Sequence, residues 1–573
     1  MQYPLTEQIG IPELLTGREK EFRLINKWLS KIPERMSKSR VIAARRKSGK
    51  TAFIQRIFNH LWSENGAVIP FYLDIPDNEI WLPEFAIKYY CAFASQYISF
   101  LERDASLVTS HFSLEEIREY GIAKSIKMFI RDTDLLQEGK HLDLMWETAS
   151  SAPHRFAVIY NLRFVVMLDE FQHITQYIYR NEACTGKPIE SMAGSYLSLS
   201  ESKVAPMLVT GSYPGMLIKI LGKYLKGGRL SHTEMSPYLT TAEGLQAVYK
   251  YAQFGGESIT NETAAQINEL CMADPFFISC VFQNDYEGKD MSTSEGVIAA
   301  VNYEVTSRDS QMSGTWNEYI LMSLERLNGP DTKQLLLHLS KYNDRYWTPH
   351  ELKKKLPLES EPDEIQHKLV ILAESDLIER GGSDIDFRGL HDGSLNLILR
   401  HRFEKEIDGF EPDFKPEFQQ QIAELTLKNR KLQGMLNNLS GKMAEYQLAT
   451  AMRSRKHFVL TEFFSEVKDT TRLNLTAVKE RVLVQREDGK GGEIDIVAKS
   501  DCGRTILVEV KKTETKSGLQ AVTDFKEKTE TYCRCFPAET VLPAFLSLGG
   551  FTFDAEVFCR AHGIAMADRI QRF

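Results

Sequence analysis

Cysteine is scarce in this sequence, and its placement excludes several kinds of protein. The 573 residues include eight scattered cysteines, and the only close pair, Cys533 and Cys535, lacks the spacing of a zinc knuckle. Without a C-x-x-C pair or a Cys/His array, neither a disulfide framework nor a structural zinc module is indicated. The pattern favours a reducing, cytoplasmic setting.

Long apolar runs and an excess of positive charge are also missing. No stretch approaches the length that crosses a bilayer, and the opening residues MQYPLTEQIG lack the basic-then-apolar pattern of a signal peptide, so we expect no membrane partner. A net charge of −8 argues against a chain coated in nucleic acid, although a local basic patch remains compatible with it. The length predicts about four domains.

The first segment that carries chemistry is RVIAARRKSGKTAFIQR, residues 40–56. It reads as a strand, a loop and an amphipathic helix, the layout that turns backbone N–H groups and a helix N-terminus toward phosphate. We expect Ser48 and Gly49 in the loop, Lys50 at the β- and γ-phosphates and Thr51 on Mg²⁺. Ala44 stands where this pattern begins with glycine. Because alanine resists positive φ, we expect a shifted loop or weaker binding. A chance GKT is the alternative.

A second segment, RFVVMLDEF (163–171), reads as a buried parallel strand that ends in two carboxylates. Asp169 is expected to support Mg²⁺ and Glu170 to polarise the attacking water. The alternative is a buried strand with ordinary carboxylates at its solvent end. The order of the two segments makes a chance match to both improbable.

A third strand, 207–210, is followed by Gly211 and Ser212. Thr210 or Ser212 could sense the γ-phosphate from the end of this strand. Further along, Arg229 in KGGRLSH could contact nucleotide in cis or in trans. A capped strand end and a surface arginine are the alternatives for these residues.

Together, LLTGREKEF (14–22), AARRKSGKT, VVMLDEF and LVTGSYPGM resemble the archaeal-type P-loop ATPases of the AAA+/STAND group. The paired Arg45 and Arg46 are typical of that group, and the resemblance covers roughly residues 10–310. It implies ATP as the cofactor, with Arg46 among the nucleotide-binding residues. It also implies a five-stranded ATPase core over 1–235 and a helical lid over 236–315. The departure at Ala44 puts turnover in more doubt than binding.

The next segment, 316–408, has the pattern of a winged helix. Helices are predicted over 332–342, after Thr348 as N-cap, and over 363–375, followed by two short strands that meet at Gly381 and Gly382. The helix over 363–375 offers only His367 and Lys368 as basic groups, so a structural or regulatory winged helix is favoured over a DNA reader. The run Lys353 to Lys355 is a counter-argument.

A heptad seam follows, in a predicted coiled-coil helix assigned to 409–440 that extends into the next domain. The seam residues repeat at alternating steps of four and three: Phe418, Ile422, Leu425, Asn429, Leu432, Leu436, Leu439 and Met443. This period of 3.5 is that of a coiled coil, and Asn429 falls at an a position, where a polar residue can fix register and strand number. Antiparallel pairing within the chain and self-association into a homo-oligomer both remain open.

The segment GGEIDIVAKSDCGRTILVEVKK, residues 491–512, predicts a hairpin. A symmetric turn would pair 499 with 505 and set Asp495 opposite Glu509 and Glu493 opposite Lys511. The four charged residues would share one face. The other face would be a buried back made of Ile494, Ile496, Ala498, Ile506, Val508 and Val510. Two carboxylates face to face repel each other unless a divalent cation lies between them, and oxygen ligands suit Mg²⁺ or Mn²⁺. A solvated hairpin is the alternative.

The helices and strands around this hairpin, over 441–573, resemble the PD-(D/E)xK nucleases of the restriction-endonuclease-like fold, in their Mrr-type branch. By position, Asp495 and Glu509 match the metal carboxylates and Lys511 the lysine of that motif. Glu445 matches the extra helical glutamate that serves as a further metal ligand, and Gln520 more weakly matches a helical glutamine. Ile494 replaces the proline of the nominal PD pair, as in many active members.

The sequence therefore predicts an α/β multidomain chain: a P-loop ATPase core with a helical lid, a winged helix, a coiled-coil helix and a restriction-endonuclease-like domain. The function expected is ATP-regulated, Mg²⁺-dependent cutting of DNA, in a homo-oligomer that could also bind another protein. Family analogy suggests a role in defence against foreign DNA. One alternative is a nucleotide-switched protein that binds nucleic acid without cutting it. Another is a nuclease whose ATPase core binds nucleotide only structurally.

Overall fold

The computed structural model describes residues 1–225, 228–324, 327, 330–383, 385–390, 393–410, 412–485, 491–512 and 515–570. The chain forms two compact units, Met1–Ile422 and Ala423–Phe573, which are described separately.

The first unit begins with an α/β layer built on a mainly buried sheet. Its strands are β1 (Arg40–Ala43), β2 (Ile69–Asp74), β3 (Ile80–Trp81), β4 (Phe164–Asp169), β5 (Ile178–Tyr179), β6 (Met207–Gly211) and β7 (Ser231–Glu234). Its helices are α1 (Glu19–Leu29), α2 (Lys50–Glu64), α3 (Leu82–Glu102), α4 (Leu114–Ala123), α5 (Lys127–Glu138), α6 (Leu142–Ser150), α7 (Ala152–Ile159) and α8 (Pro214–Tyr224).

Five of these strands form a parallel sheet in the order β2-β4-β6-β1-β7, and β3 pairs separately with β5. Every residue of β4 is buried, as expected for a strand covered by helices on both faces. Because the strands are parallel, the carboxyl ends of β1, β2, β4 and β6 meet at one edge. Asp74 lies opposite Asp169 there. The prediction of an α/β core with a parallel sheet is confirmed.

After β7 the first unit is mainly helical, with one small β-hairpin near its end. They are α9 (Thr241–Gly255), α10 (Asn261–Leu270), α11 (Pro275–Gln283), α12 (Ser294–Thr306), α13 (Gln311–Leu324), α14 (Pro330–Lys341), α15 (Pro349–Lys355), α16 (Pro362–Glu374) and α17 (Ser394–Phe403), with β8 (Ile378–Arg380) and β9 (Phe387–Gly389) between the last two. Thr348 caps α15 and shares a reciprocal capping box with Glu351, as predicted. Strands β8 and β9 pair antiparallel after α16.

One long helix, α18 (Lys415–Arg455), carries the heptad seam. Its first seam residues, Phe418 and Ile422, are buried in the apolar core of the first unit. From Leu432 onward the seam is exposed to solvent. The last turns of the helix, from Ala444 to Met452, bury an apolar face in the core of the second unit.

The second unit is a mixed sheet covered on both faces. Its strands β10 (His457–Val459), β11 (Arg472–Gln485), β12 (Gly491–Ser500), β13 (Arg504–Lys511), β14 (Thr540–Ser547) and β15 (Ala565–Ala567) lie in chain order, and its further helices are α19 (Leu519–Cys535) and α20 (Phe553–His562). Pairing is antiparallel from β10 to β13 and parallel from β13 to β15. The end of α18 packs on one face, and α19 and α20 pack on the other.

The register of the β12–β13 hairpin is the one predicted from a symmetric turn, with Lys499 opposite Thr505. The predicted apolar back is confirmed for Ile496, Ala498, Ile506, Val508 and Val510, which share a core with the end of α18. The prediction that the other face is polar is wrong, because Val497 and Leu507 lie in the core under α19. Ile494 also lies in the core under α19, whereas regular alternation predicts it on the same face as Ile496. The side-chain alternation of β12 therefore breaks at Asp495.

Candidate nucleotide and nuclease sites

The loop between β1 and α2 has the conformation of a phosphate loop. Among the described residues, those with positive φ include Lys47 (65°) and Gly49 (83°) but not Ala44, which is buried at the end of β1. The strain expected at Ala44 is therefore not part of this loop, since only the left-handed region penalises a Cβ. Arg18, from the LLTGREKEF segment, donates to the Ser48 carbonyl at 3.0 Å and holds the loop from outside.

The structure brings Lys50 together with the ends of β4 and β6. Its Nζ donates to Ser212 Oγ at 3.0 Å and lies 4.0 Å from Glu170 Oε1. Glu170 also accepts hydrogen bonds from the Ser212 backbone N–H (2.9 Å) and from the Ser212 hydroxyl and Gln172 amide. Burial alone would raise the pKa of Glu170, but Lys50 and these donors hold it below its usual value. The Ser212 hydroxyl therefore lies between the Lys50 amine and the Glu170 carboxylate and hydrogen-bonds to both.

Asp169 lies deeper at the same edge and is fully buried. It accepts a hydrogen bond from Thr210 Oγ1, and Tyr72 donates to its other oxygen at 3.5 Å. Burial, reinforced by the charge of Glu170, raises the pKa of Asp169. Burial and the neighbouring Asp169 likewise raise the pKa of Asp74 to about 7. The carboxylates therefore make the electrostatic potential at this edge negative, and a divalent cation beside Thr51 and Asp169 would compensate it.

Two arginines, Arg46 and Arg229, are also predicted to bind nucleotide. Arg46 lines a cavity of about 10 Å³ beside the loop, together with Lys47, Asp274 and Ser394. Arg229 forms an ion pair with Glu201, with Nε and Oε1 2.8 Å apart. The nucleotide contacts of Arg46 and Arg229 both stay predictions.

The end of α16 and the turn after it pack against α8, and Asp376 in this turn comes within the range of charges at the phosphate loop, a feature that the sequence did not indicate. Lys219 of α8 binds Glu374 at 3.0 Å, and a Cβ on Gly215 would lie 2.7 Å from Glu374 Cα, so this approach requires glycine. Tyr319 donates to the Ser375 carbonyl at 2.8 Å. The next residue, Asp376, is partly buried and interacts with the charges of Arg45 and Lys50. Its Oδ2 has no hydrogen-bond partner among the described residues.

Asp376 makes the stability of the first unit depend on pH. Burial raises its pKa to about 7, against 3.8 for an ordinary aspartate, although Arg45 and Lys50 act in the other direction. The folded state therefore holds a proton that the unfolded chain releases, and stability falls as pH rises from about 4 to about 7. Asp376→Asn is expected to remove this loss, which amounts to about 2–4 kcal/mol above pH 7.

Thermal unfolding of the Asp376→Asn variant and of the native chain at pH 5 and pH 8 tests this. The variant should gain stability at pH 8 and little at pH 5. Asp143→Asn, at an exposed ion pair with Arg180, is the matched control and should shift neither curve. Equal effects of Asp376→Asn at both pH values would contradict the expectation.

In the second unit, two carboxylates lie buried where β12 and β13 begin to separate. The described β12–β13 pairs end at Ile496 opposite Val508, one position before Asp495 and Glu509. Instead of a further pair, Asp495 Oδ2 accepts the Val510 backbone N–H at 2.7 Å. The side chains of both carboxylates are almost completely buried. Burial and the nearby charge of Glu509 raise the pKa of Asp495 to about 7.

Two lysines hold Glu509. Lys511 Nζ lies 2.8 Å from Oε1, and Lys528 Nζ, from α19, lies 2.8 Å from both oxygens. A Cβ on Gly492 would lie 3.2 Å from Lys528 Cγ, so glycine leaves room for this lysine above β12. Lys511 was predicted, but Lys528 was not, because a single lysine on an amphipathic helix gives no local signal.

The other predicted nuclease residues have partners of their own. Glu445, buried on α18, binds Arg481 through two contacts of 2.9 and 3.2 Å. Arg481 has a left-handed φ of 55° at the point where Asp495 interrupts the β12 alternation. Gln520 donates to Asp524 at 2.7 Å near the start of α19. Glu445 as a metal ligand and Gln520 as a site residue stay predictions.

The donor set of this cluster fits a hard divalent cation. Asp495 and Glu509 supply oxygen atoms in a buried, negatively charged position, and Mg²⁺ is commonly bound by one or two carboxylates with water and phosphate completing its shell. In the described part of the chain, no group of three or more His, Cys, Asp or Glu side chains is arranged to hold a metal ion. A cation here would therefore use these two carboxylates and displace at least one lysine from Glu509.

The strand order, the loop between β1 and α2 and the network at Lys50 give the first unit a parallel α/β core with a loop–helix junction suited to phosphate. No protein-family model matches the chain, and no curated protein matches it. Among solved structures, a Walker-type ATPase of Pyrococcus abyssi is similar at 14% identity over 69% of this chain and 98% of its own, with a TM-score of 0.43. The ORC2 protein of Aeropyrum pernix is similar at 11% identity over 69% and 95%, with a TM-score of 0.39.

A shorter likeness joins 16% of this chain to 39% of a repair endonuclease from Pyrococcus abyssi, at 18% identity and a TM-score of 0.13. All three TM-scores are below 0.5. Among the described helices, none has the length and apolar character that crossing a lipid bilayer requires.

Proposed function

We propose that the protein is an ATP-regulated, Mg²⁺-dependent DNA endonuclease. The observation that carries this proposal is the pair of buried carboxylates, Asp495 and Glu509, with Lys511 beside them on the separating ends of two strands. Buried carboxylates this close are costly unless a cation compensates them, and a structural hairpin has no need of that cost. A phosphodiester supplies the negative charge that the lysines would meet.

The roles follow from the contacts. Asp495 and Glu509 would hold the metal, whose chemistry is to activate water and to polarise the phosphate. Lys511 would orient the attacking water or a phosphate oxygen, since its amine already lies at the carboxylate. The Val510 backbone N–H fixes Asp495 through Oδ2 and leaves Oδ1 as its second donor atom. Glu445 would join as a third ligand if it leaves Arg481.

The first unit would supply the nucleotide control. Lys50 and Thr51 would bind the phosphates and Mg²⁺ with Asp169, and Glu170 would polarise water, with Ser212 reporting the γ-phosphate. Once ionised, above about pH 7, Asp376 would place a negative charge near Arg45 and Lys50. Nucleotide phosphate would compete with it for these cations, so ATP would release the turn after α16. Homo-oligomer formation and a role in defence against foreign DNA belong to the same proposal.

Incubation of the purified chain with supercoiled plasmid tests the function. Mg²⁺ or Mn²⁺ is supplied with and without ATP, and chelator serves as the control. Metal-dependent cleavage that changes with ATP supports the proposal. Absence of cleavage in every combination contradicts it.

A second candidate is a protein that binds nucleic acid without cutting it. The lysine pair favours it, because Lys511 and Lys528 already neutralise Glu509 and a metal is not needed to balance the site. In this case the nuclease-like unit would retain its shape and its basic groups for phosphate contacts alone.

Lys528→Met separates the two candidates by metal binding. If a cation uses Glu509 while Lys511 stays to orient water or phosphate, Lys528 is the lysine displaced, so the variant is expected to bind Mn²⁺ about tenfold more tightly, which is about 1.4 kcal/mol. Isothermal titration of Mn²⁺ without DNA measures this. Lys526→Met, at an exposed pair with Glu530 on the same helix, should leave the affinity unchanged. Unchanged or weaker Mn²⁺ binding in Lys528→Met would favour the candidate that does not cut.

A further inference from the structure

The exposed half of the heptad seam is the largest unexplained apolar feature of α18. Leu432, Leu436, Leu439 and Met443 are between 53% and 65% exposed, and they occupy successive a and d positions of one helix. Single exposed leucines are ordinary, but a regular stripe of them on a helix marks a contact surface. The first seam residues are buried inside the chain, so only the later part needs a partner.

Among the described residues of the second unit, to which 425–443 belong, none covers this stripe, and a second copy is the occupant that the sequence pattern fits. Coiled-coil seams are self-complementary, because each a and d side chain inserts between four residues of an equivalent helix. A groove on a different protein would not require apolar residues at a strictly alternating spacing of four and three residues. The pattern from Leu425 to Met443 keeps that alternation without a break.

Two features decide the direction of such a pair. Asn429 is an exposed a residue. In a parallel pair it meets the same amide of the other helix, where both can hydrogen bond, whereas in the antiparallel pair that aligns 425–443 it meets Leu439. Lys428 and Lys442 lie at g positions. The antiparallel pair sets them opposite each other twice, whereas in a parallel pair Lys428 faces the neutral Gln433.

The direction has a consequence for the second unit. Helix α18 runs without interruption from Met443 into Ala444 and Glu445, which are buried in the nuclease-like domain. The seam is about 27 Å long, so antiparallel helices would separate the two domains by at least that distance. Parallel helices, with axes about 8–10 Å apart, bring both domains to the same end.

We propose that residues 425–443 of α18 pair in parallel with the same residues of a second copy, and that the two nuclease-like domains so joined cut both strands of duplex DNA in one encounter. The second part rests on the proposed function. The first part depends only on the seam.

Light scattering on the full chain measures the pairing. The native mass should be twice the 65.5 kDa of one chain. Leu432→Lys/Leu436→Lys should reduce it to one chain by burying charge in the seam. Leu427→Lys is the matched control, because Leu427 is as exposed but lies at an f position outside the seam. A native monomer, or a double variant that keeps the native mass, would overturn the pairing.

Disulfide cross-linking fixes the direction. Under mild oxidation, Asn429→Cys and, separately, Met443→Cys should each give a covalent dimer above the level of the native chain, whose exposed Cys502, Cys533 and Cys535 set the background. An antiparallel pair would instead give a cross-link only when Asn429→Cys is mixed with Leu439→Cys. That result would overturn the parallel arrangement.

Plasmid products test the paired cut. The native protein should convert supercoiled plasmid to linear DNA with few nicked circles, and an excess of Glu509→Gln subunits should make nicked circles the main product. Leu432→Lys/Leu436→Lys should also nick. Linear product from the monomeric double variant at the native rate would overturn the paired cut. Absence of all cleavage would instead contradict the proposed function, and mass and cross-links would still decide the pairing.

Discussion

Glu509→Gln is expected to reduce metal-dependent DNA cleavage by at least about a thousandfold, which corresponds to about 4 kcal/mol of transition-state stabilisation. The amide keeps the shape of the carboxylate but cannot balance a divalent cation in a buried position. It also removes the negative charge and one of the two acceptor oxygens that hold Lys511 and Lys528 at 2.8 Å. Initial rates of plasmid cleavage measure the effect, and Mn²⁺ titration should show the corresponding loss of binding.

The control for this change is Glu466→Gln, the same substitution at an exposed ion pair with Arg560. It should leave cleavage within about twofold of the native rate, since exposed pairs contribute little. Because Glu509→Gln leaves two lysines without their anion, folding is checked by its thermal unfolding curve. Lys511→Gln provides a second variant that keeps the carboxylate and should lose cleavage while Mn²⁺ still binds. Native cleavage rates in both variants would place the chemistry elsewhere.

Lys50→Ala is expected to lower ATP hydrolysis by at least about a hundredfold and to weaken nucleotide binding. The lysine is almost completely buried at the phosphate loop, and its amine is held 3.0 Å from Ser212 Oγ, ready to exchange that hydroxyl for a phosphate oxygen. Charge-assisted hydrogen bonds in such a position are strong, and alanine supplies neither charge nor donor. Release of phosphate and binding of a fluorescent ATP analogue are the two measurements.

Glu170→Gln provides the contrast for Lys50→Ala. It should keep nucleotide binding and lose hydrolysis, because the amide cannot polarise the attacking water. Lys88→Ala, at an exposed pair with Glu84, should change neither quantity. Hydrolysis at the native rate in Lys50→Ala would mean that the loop does not serve ATP, and the nuclease proposal would then stand without nucleotide control.

The sequence by itself determined the parts of both sites that depend on local pattern. A strand followed by SGKT, and a buried strand that ends in Asp169 and Glu170, are read from adjacent residues, and parallel pairing then brings their ends to one edge. The register of the β12–β13 hairpin followed from the length of its turn, because a turn fixes which residues face each other. The heptad period of α18 was equally local.

Only the tertiary structure decided the contacts between distant elements. Periodicity gave β12 an apolar back and a polar front, whereas α18 and α19 cover its two faces and the alternation breaks at Asp495. Nothing near Lys528 in the sequence indicates that it reaches Glu509, and nothing near Asp376 indicates that it faces Arg45 and Lys50. Such pairings depend on how helices dock, which local spacing does not encode. Local sequence pattern therefore indicates the two candidate sites, whereas packing decides which charges lie beside them.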